Sequence, residues 1–591
     1  MESEWRVYTK KADFNALSAR FGISPVIARI MVNRGVDTEE KIDAYLHAGL
    51  EKTHSPELMK DVDKAALIMK EKIEKGLKVR IISDYDVDGV MSNYVLYDGL
   101  KRAGADVSYE IPDRVLDGYG VNERMIKDAH EAGVDTIITC DNGIAAFPAV
   151  ELAKSYGMTV IVTDHHEVPY DLDENGERHY RIVPADAVVD IKQPDCPYPF
   201  KEICGAVVAY KFIRVLYRHM QLAWEDENRY IEFLAIATVC DVMSLTDENR
   251  VYVREGIKLI GHTKNKGLKA LMKCNSLEGK PLGAYHLGFV LGPCINATGR
   301  LKSAQEGLSL LLETDEAAAL KKAEEVVELN ASRKKLTLDG TALAIEQVES
   351  GLNRDNVLVL YLPELHESLA GIVAGRVREA FYKPVFVITG GEAGLLKGSG
   401  RSIEGYHMYD ALTEVSNLLD KFGGHELAAG FSLKQENLEE FRRRLNENEH
   451  LTEKELTPVK YIDVPMPTSY ADIAICEQLE TLEPFGKGNE KPLFGELRLN
   501  IRRISLFGNE GQYARIIYEN EQGLDAEGVD FDSETLKNRL LSWFGDETLE
   551  RILSGLPNDS RVDILYYPGI NEYRGTKKVQ IHTVDIRRSG S

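Results

Sequence analysis

Residues 78–89 read KVRIISDYDVDG, an apolar run that ends in three alternating acids, Asp84, Asp86 and Asp88. The run has the length and β-branched content of a strand, and the GVMSNYVLYDGLKRAG that follows has the apolar spacing of a helix. DVSYEIP, DTIITC and MTVIVTD read as further strands, with NERMIKDAHEAG as a helix between the first two. Such alternation, from about Val79 to Asp190, specifies a parallel α/β sheet. Ligands of these sheets bind beyond the carboxyl ends of the strands, so the polar residues after each apolar run are the candidates for chemistry. Here they are Asp and His.

If the first strand continues through the acids, Asp84, Asp86 and Asp88 share one face, and their repulsion calls for a cation. Hard oxygen donors suit magnesium or manganese. A turn with Asp side chains bonded to the backbone accounts for the same residues. ITCDNGI puts Asp141 after the next strand, VTDHHEVP puts Asp164, His165 and His166 after the following one, and IATVCDVMSL ends on Asp241. One imidazole can bind metal while the other meets a phosphate. The plain alternatives are a solvated turn for the histidines and a helix cap for Asp241. Four segments delivering carboxylate or imidazole to the same edge of a sheet argue together for a metal centre.

The 591 residues exceed what one core organises, so several domains are expected. Hydrophobic residues at 43% and charged residues at 28% exclude collagen-like, disordered and membrane-embedded classes. No apolar run approaches the roughly 18 to 20 residues of a spanning helix, and MESEWRVYTKK lacks the apolar stretch of a secretory signal, so a cytoplasmic protein is expected. Seven cysteines without a C-x-x-C pair indicate neither a disulfide framework nor a zinc ribbon. A net charge of −23 speaks against a polyanion partner unless basic residues are gathered locally. The segment from Gly371 to Arg401 gathers Arg376, Arg378, Lys383, Lys397 and Arg401 against Glu379 and Glu392.

From Thr314 to about Gly351 the residues are helix formers behind a Thr cap. They make a bridge of roughly 50 Å if unbroken, or two packed helices if broken near Gly340. A second α/β unit follows, with NVLVLYL and KPVFVITG as strands, a glycine-rich LLKGSGRSI, and an end near GGHELAAGFSL. After a charged stretch, RISLF, ARIIYEN, RVDILYYP and KKVQIHTVDI suggest a small antiparallel barrel.

The ordered set DYDVDG, CDNG, VTDHH and CDV resembles the DHH phosphoesterase superfamily. Together with IPDRVLDGYGVN, CGAVVAYK, INATGRL, GSGRSI, FGGHELAAG and LEPFGKGNEKPLF, it is similar to the RecJ family of single-strand-specific exonucleases from about Arg80 to Phe494. The fold this implies is a helical region at 1–70, a parallel-sheet DHH domain at 71–313, a connecting helix at 314–351, an α/β DHHA1 domain at 352–454 and an OB-like barrel at 455–591. The implied activity is two-metal hydrolysis, with Mn2+ or Mg2+, that releases mononucleotides from the 5′ end of single-stranded DNA in repair and recombination.

By the same resemblance Asp86, Asp88, Asp141, His165 and Asp241 hold the metals, with Asp141 bridging. Asp84 and His166 complete the catalytic group, the latter facing the scissile phosphate. Arg114, Arg300, Ser399, Arg401 and His425 gather the 5′ phosphate and nearby backbone. A salt bridge to one of the 95 acids is the alternative for each arginine. Asp117 stands where Glu is common in the family. Expected partners are a single-strand binding protein and a RecQ-type helicase, with a monomer and no membrane. Two other readings are a DHH phosphodiesterase for small nucleotides or oligoribonucleotides, whose members commonly lack the barrel, and a non-catalytic Cdc45-like scaffold, whose metal residues have decayed. All the main metal positions are intact here.

Overall fold

The apolar runs form a five-stranded parallel sheet in the order Asp106–Glu110, Lys78–Ser83, Thr136–Cys140, Thr159–Asp164, Ala187–Asp190. Both faces are covered. Val79, Ile81, Ile138 and Ile161 pack under the helices Val87–Arg102 and Gly205–His219, whereas Ile82, Ile137, Val160 and Val162 pack under Glu123–Glu131 and Phe147–Ser155. That is why the strands read as continuous apolar runs rather than as alternation. The first strand lies between the second and the third, so the connections diverge there and open a crevice at the ends of Ser83 and Cys140.

These features come from a computed structural model that describes every residue except 1, 2, 115, 119, 174, 175, 224–227, 392, 393, 574 and 591. The chain folds as two units, residues 49–456 and residues 1–48 with 457–591. Among the described residues no helix is long and apolar enough to cross a membrane.

In the first of these units the long helix is unbroken from Glu316 to Gln347, 32 residues or about 48 Å. Its cap is Asp315, which accepts from Ala318 N, and not the neighbouring threonine. Gly340 does not break it. It sits where Leu365 and Val373 press on the helix, and a Cβ there would lie 2.9 Å from Leu365 Cδ1. The second sheet runs Leu419–Gly424, Ala428–Lys434, Leu395–Arg401, Val385–Thr389, Leu358–Leu362, with only the last pair parallel. The glycine-rich stretch is thus a strand. Gly398 and Gly400 face Phe431 and Met408 so closely that a Cβ would fall 2.2 and 2.4 Å away.

In the other unit, Phe494–Phe507, Tyr513–Glu519, Asp525–Asp530, Thr576–Arg588 and Arg561–Tyr573 close into a barrel by pairing the last with the first. The expectation of purely antiparallel strands needs correction, because Asp525–Asp530 pairs in parallel with Thr576–Arg588 across the intervening helix Ser533–Ser554. The first 48 residues belong to this unit and not to a helical region ending at 70. Glu4–Val7 pairs in parallel with Val459–Ile462, and Ile27, Ile30, Met31 and Tyr45 share the barrel core. The helix Val62–Glu74 packs instead on Gly205–His219.

Candidate active site

The strand stops at Ser83 and a helix begins at Val87, so Asp84, Asp86 and Asp88 do not share a strand face. Asp86 is the helix N-cap, accepting from Gly89 N at 3.0 Å, and Asp88 sits in the first turn. Capping preference wins over strand continuation. The turn closes tightly, because a Cβ on Gly89 would lie 2.3 Å from Asp84 O.

Topology then gathers what the local sequence separates. Ligand atoms of Asp84, Asp86 and Asp141 lie within 4.8 Å of one another, as do those of Asp88, His165 and Asp241, and those of Asp141, His165 and His166. His165 Nε2 is 3.0 Å from Asp141 Oδ1, 3.6 Å from Asp88 Oδ2 and 3.7 Å from Asp241 Oδ2. Asp88 accepts from Gly205 N and Ala206 N, at 2.6 and 2.8 Å, where the helix Gly205–His219 begins. Asp241 closes the carboxyl end of the helix Ile231–Cys240 and caps no helix start. Asp141 and Val242, the residue after Asp241, both take left-handed φ, 58° and 54°. Such backbone costs on the order of 1–3 kcal/mol and concentrates at functional sites.

Burial, with the charge of neighbouring carboxylates, raises Asp84, Asp141 and Asp241 well above the usual range and brings Asp88 to about 6. Burial, with the charge of His166, lowers His165 to about 3, which leaves its imidazole neutral. Asp84 Oδ1 and Asp241 Oδ2 are buried without a hydrogen-bond partner. Crowded carboxylates, a neutral imidazole and unsatisfied buried oxygens form a donor set that could hold a hard divalent cation. Burial also pushes the Cys140 and Cys240 thiols up, and among the described residues neither belongs to the clusters of candidate ligands.

His166 Nδ1 lies 2.7 Å from Asp164 Oδ1. Burial alone would lower the ring's pKa, but the Asp164 charge and hydrogen bond outweigh it and raise His166 to about 9. Asp164 is lowered to about 2 by the same pairing against its own burial, and it also accepts from Ile144 N and His165 N. Some residues escaped the reading of the sequence, an aspartate among them. Asp190, in register with Asp164 on the next strand, is fully buried, and burial with the Asp164 charge raises it to about 8. Its signal was there, an Asp directly after AVV.

Arg114, Arg300, Ser399 and Arg401 line one cleft of about 400 Å³, joined by Lys397 and Lys421. Lys397, Ser399 and Arg401 alternate with the packed glycines, so the period of two sends them outward together. The Arg114 guanidinium lies 3.8 Å over the ring of Tyr85, inside DYDVDG. Arg300 donates to Ser368 O at 2.6 Å and Arg401 to Gly400 O at 2.8 Å. Among the described residues none of the three arginines forms an ion pair, so the salt-bridge alternative fails. Burial, then the charges of Arg114 and Arg333, lower Arg300 to about 10, and burial with Arg378 lowers Arg401. Cations held this close, with Glu367 the acid among the cleft's lining residues, could bind an anion.

His425 does not line the cleft. It is exposed at the neighbouring hairpin, where burial and the Arg401 charge lower its pKa. The basic segment also divides, because Lys383 tethers the Asn353 and Asp355 carbonyls and Arg378 bonds Ser402 O. Glu392 lies outside the described residues. Asp117 ties down its turn through Arg124 at 2.9 Å, and Tyr119 beside it is outside the described residues.

Three family models match the chain: the DHH family N-terminal domain at residues 78–238, the DHHA1 domain at 354–449 and the RecJ OB domain at 462–585. The chain is 33% identical to the single-stranded-DNA-specific exonuclease RecJ of Bacillus subtilis over 98% of its own length and 70% of that protein. It is 31% identical to the Escherichia coli RecJ over 95% of each. The crystal structure of RecJ in complex with Mn2+ from Thermus thermophilus superposes with a TM-score of 0.79 at 26% identity, covering all of this chain and 80% of that one. A related crystal structure of the Thermus protein holds Mg2+. Sheet order, charge clusters, barrel and near full-length identity agree, and the chain belongs to the RecJ family of single-stranded-DNA-specific exonucleases.

Proposed function

We propose that this protein is a metal-dependent exonuclease that degrades single-stranded DNA from its 5′ end to mononucleotides. The observation that carries the reading is the juxtaposition of two unneutralised clusters of opposite sign. The acids reach the cleft through the DYDVDG turn, since Arg114 stacks on Tyr85 and the charge of Asp86 acts on Arg300. In this reading a strand with its terminal phosphate in the arginine cleft presents its first internucleotide phosphate to the acids.

Asp86, Asp88, Asp141, His165 and Asp241 would hold a pair of Mn2+ or Mg2+ ions, with Asp84 supporting them. When bound, such ions supply a hydroxide at neutral pH and stabilise the leaving oxygen. The chain's own residues do the rest. Asp164 holds the His166 ring and keeps it cationic, which suits it to a phosphate oxygen. Arg114, Arg300 and Arg401 form charge-assisted bonds to a terminal phosphate, with Ser399 as a neutral donor. His425 stands further along the strand. In the barrel unit the rings of Phe507, Tyr513, Phe531 and His582 follow one another at 5.3, 5.8 and 5.9 Å and offer bases a stacking surface. Work in repair and recombination in the cytoplasm, as a monomer fed by a RecQ-type helicase and a single-strand binding protein, suits a nuclease specific for single strands.

The test is single-stranded DNA labelled separately at each end and incubated with Mn2+, Mg2+ or chelator. The 5′ label is expected to leave first as a mononucleotide, and only with metal. Earlier loss of the 3′ label, or cleavage in chelator, would overturn the reading.

A further inference from the structure

The segment CGAVVAYK opens the helix Gly205–His219, and its last residue, Lys211, is fully buried. The Lys211 ammonium lies 2.9 Å from Glu248 Oε2 and donates to His54 O at 2.7 Å, with the rings of Tyr198 and Tyr252 centred 5.2 and 5.8 Å from it. Glu248 is enclosed as completely. Its Oε1 accepts from the Tyr198 hydroxyl and its Oε2 from His54 N at 3.2 Å. Taking two charges out of water is costly, and apolar residues of the same volume usually hold a core as well. The pair is therefore better explained by the geometry that it enforces than by stability.

Each end of the pair leads to a different acid of the site. On the Lys211 side, the start of the same helix holds Asp88 through Gly205 N and Ala206 N and presses on Asp141, since a Cβ on Gly205 would lie 2.8 Å from Asp141 Cβ. On the Glu248 side, the connection back to Asp241 takes left-handed φ at Val242 and Asp247, 54° and 47°. Asn249, next to Glu248, donates to Ser244 O inside that connection at 3.0 Å and to Glu202 O just ahead of the Gly205 helix. Asp88 and Asp241 then converge on His165 at 3.6 and 3.7 Å. Asp84 and Asp86 belong to the other cluster, with Asp141. We infer that Lys211 and Glu248 are a positioning pair that fixes the spacing of Asp88 and Asp241, and with it the affinity for the one cation that these two would share with His165. This rests on the proposed two-metal reading. Neither residue is among the candidate ligands; they act by holding ligands in place before the cation arrives, and partners of that kind change metal affinity by about tenfold to a hundredfold.

The experiment titrates Mn2+ into the chelator-stripped full chain by calorimetry and follows the Mn2+ dependence of cleavage, for wild type, Lys211→Met and Glu248→Gln. The glutamine variant keeps the acceptors of Glu248 and loses only its charge, so it decides the matter if Lys211→Met fails to fold. Leu216→Ala, a cavity at a buried position five residues further along the same helix, is the control for lost stability, and thermal unfolding in chelator ranks all four proteins. Both pair variants are expected to weaken one of the two bound ions by about tenfold to a hundredfold and leave the other unchanged. Their cleavage should need correspondingly more Mn2+ and recover when Mn2+ is in excess, whereas Leu216→Ala should keep both affinities. Equal loss at both ions, no loss at either, or the same selective loss in Leu216→Ala would leave the pair an ordinary part of the core. A wild-type chain that binds no pair of Mn2+ ions and cleaves no single strand would instead remove the reading on which the inference stands.

Discussion

Asp585 in the barrel unit and Asp141 in the catalytic unit are both buried carboxylates, and their surroundings are opposite. Asp585 accepts from Ser3 Oγ, Lys460 Nζ and Arg539 Nη1 at 2.6, 2.7 and 2.8 Å, and these bonds outweigh burial and hold it well below the usual range. Asp141 has four other aspartates around the site and is pushed well above that range. Where the chain supplies the cation, the acid is a structural tie. Where it gathers acids without one, the cation comes from solution. The arginine cleft is the same statement with the sign reversed.

The hardest test of that contrast is Asp141→Ala. Turnover should fall by roughly three decades or more, about 4 kcal/mol of barrier, if Asp141 is the shared ligand proposed above. Stability of residues 49–456 in chelator should hold or rise, because repulsion is relieved. Near-normal turnover in steady-state assays, or a collapsed fold by circular dichroism, would break the comparison. Next, Mn2+ at a hundred times its Kd should stabilise residues 49–456 by about 2.7 kcal/mol while leaving the barrel unit unmoved, as read by hydrogen exchange in each unit with and without chelator.

Arg401→Ala should cost roughly tenfold to a hundredfold in the preference for 5′-phosphorylated over 5′-hydroxyl strands, and Arg401→Lys should recover part of it by keeping charge without the planar fork. Initial rates on the two substrates measure this, and an unaltered preference would take Arg401 out of the end site. The smallest effect belongs to the acid that has its cations. Because the folded-state pKa of Asp585 is depressed, its contribution is complete above the ordinary carboxylate range near pH 4 and is lost as pH falls below it. Asp585→Asn should cost about 1–2 kcal/mol at neutral pH, and the difference from wild type should close in acid. Chemical denaturation at several pH values measures it.

Much of this was legible because parallel sheets place chemistry at strand ends, where Asp141 follows one apolar run and Asp164, His165 and His166 follow another, while Asp241 follows an apolar helix. The acids of DYDVDG were found for an incomplete reason. Their common destination is set by the crevice between the first and third strands and by a helix cap, not by strand alternation. Lys421 was missed because its cleft is assembled from the strand Leu419–Gly424, the strand Leu395–Arg401, and Arg114 and Arg300 more than a hundred positions earlier. The strand Asp525–Asp530 was missed because DAEGVD is polar and lacks the expected pattern. Asp190 was overlooked although it obeyed the rule that found the others.

The pairing of Glu4–Val7 with Val459–Ile462 has a consequence for biosynthesis. A ribosome releases residues 49–456 before the partner strand and the barrel that complete the first 48 residues have been made. Domains fold as they emerge, at about 5–20 residues per second, so the nuclease half can fold first. The opening segment meanwhile waits some tens of seconds with Ile27, Ile30 and Met31 lacking their barrel contacts. Through that interval these apolar residues stay open to water on the nascent chain, where exposed apolar surface favours aggregation.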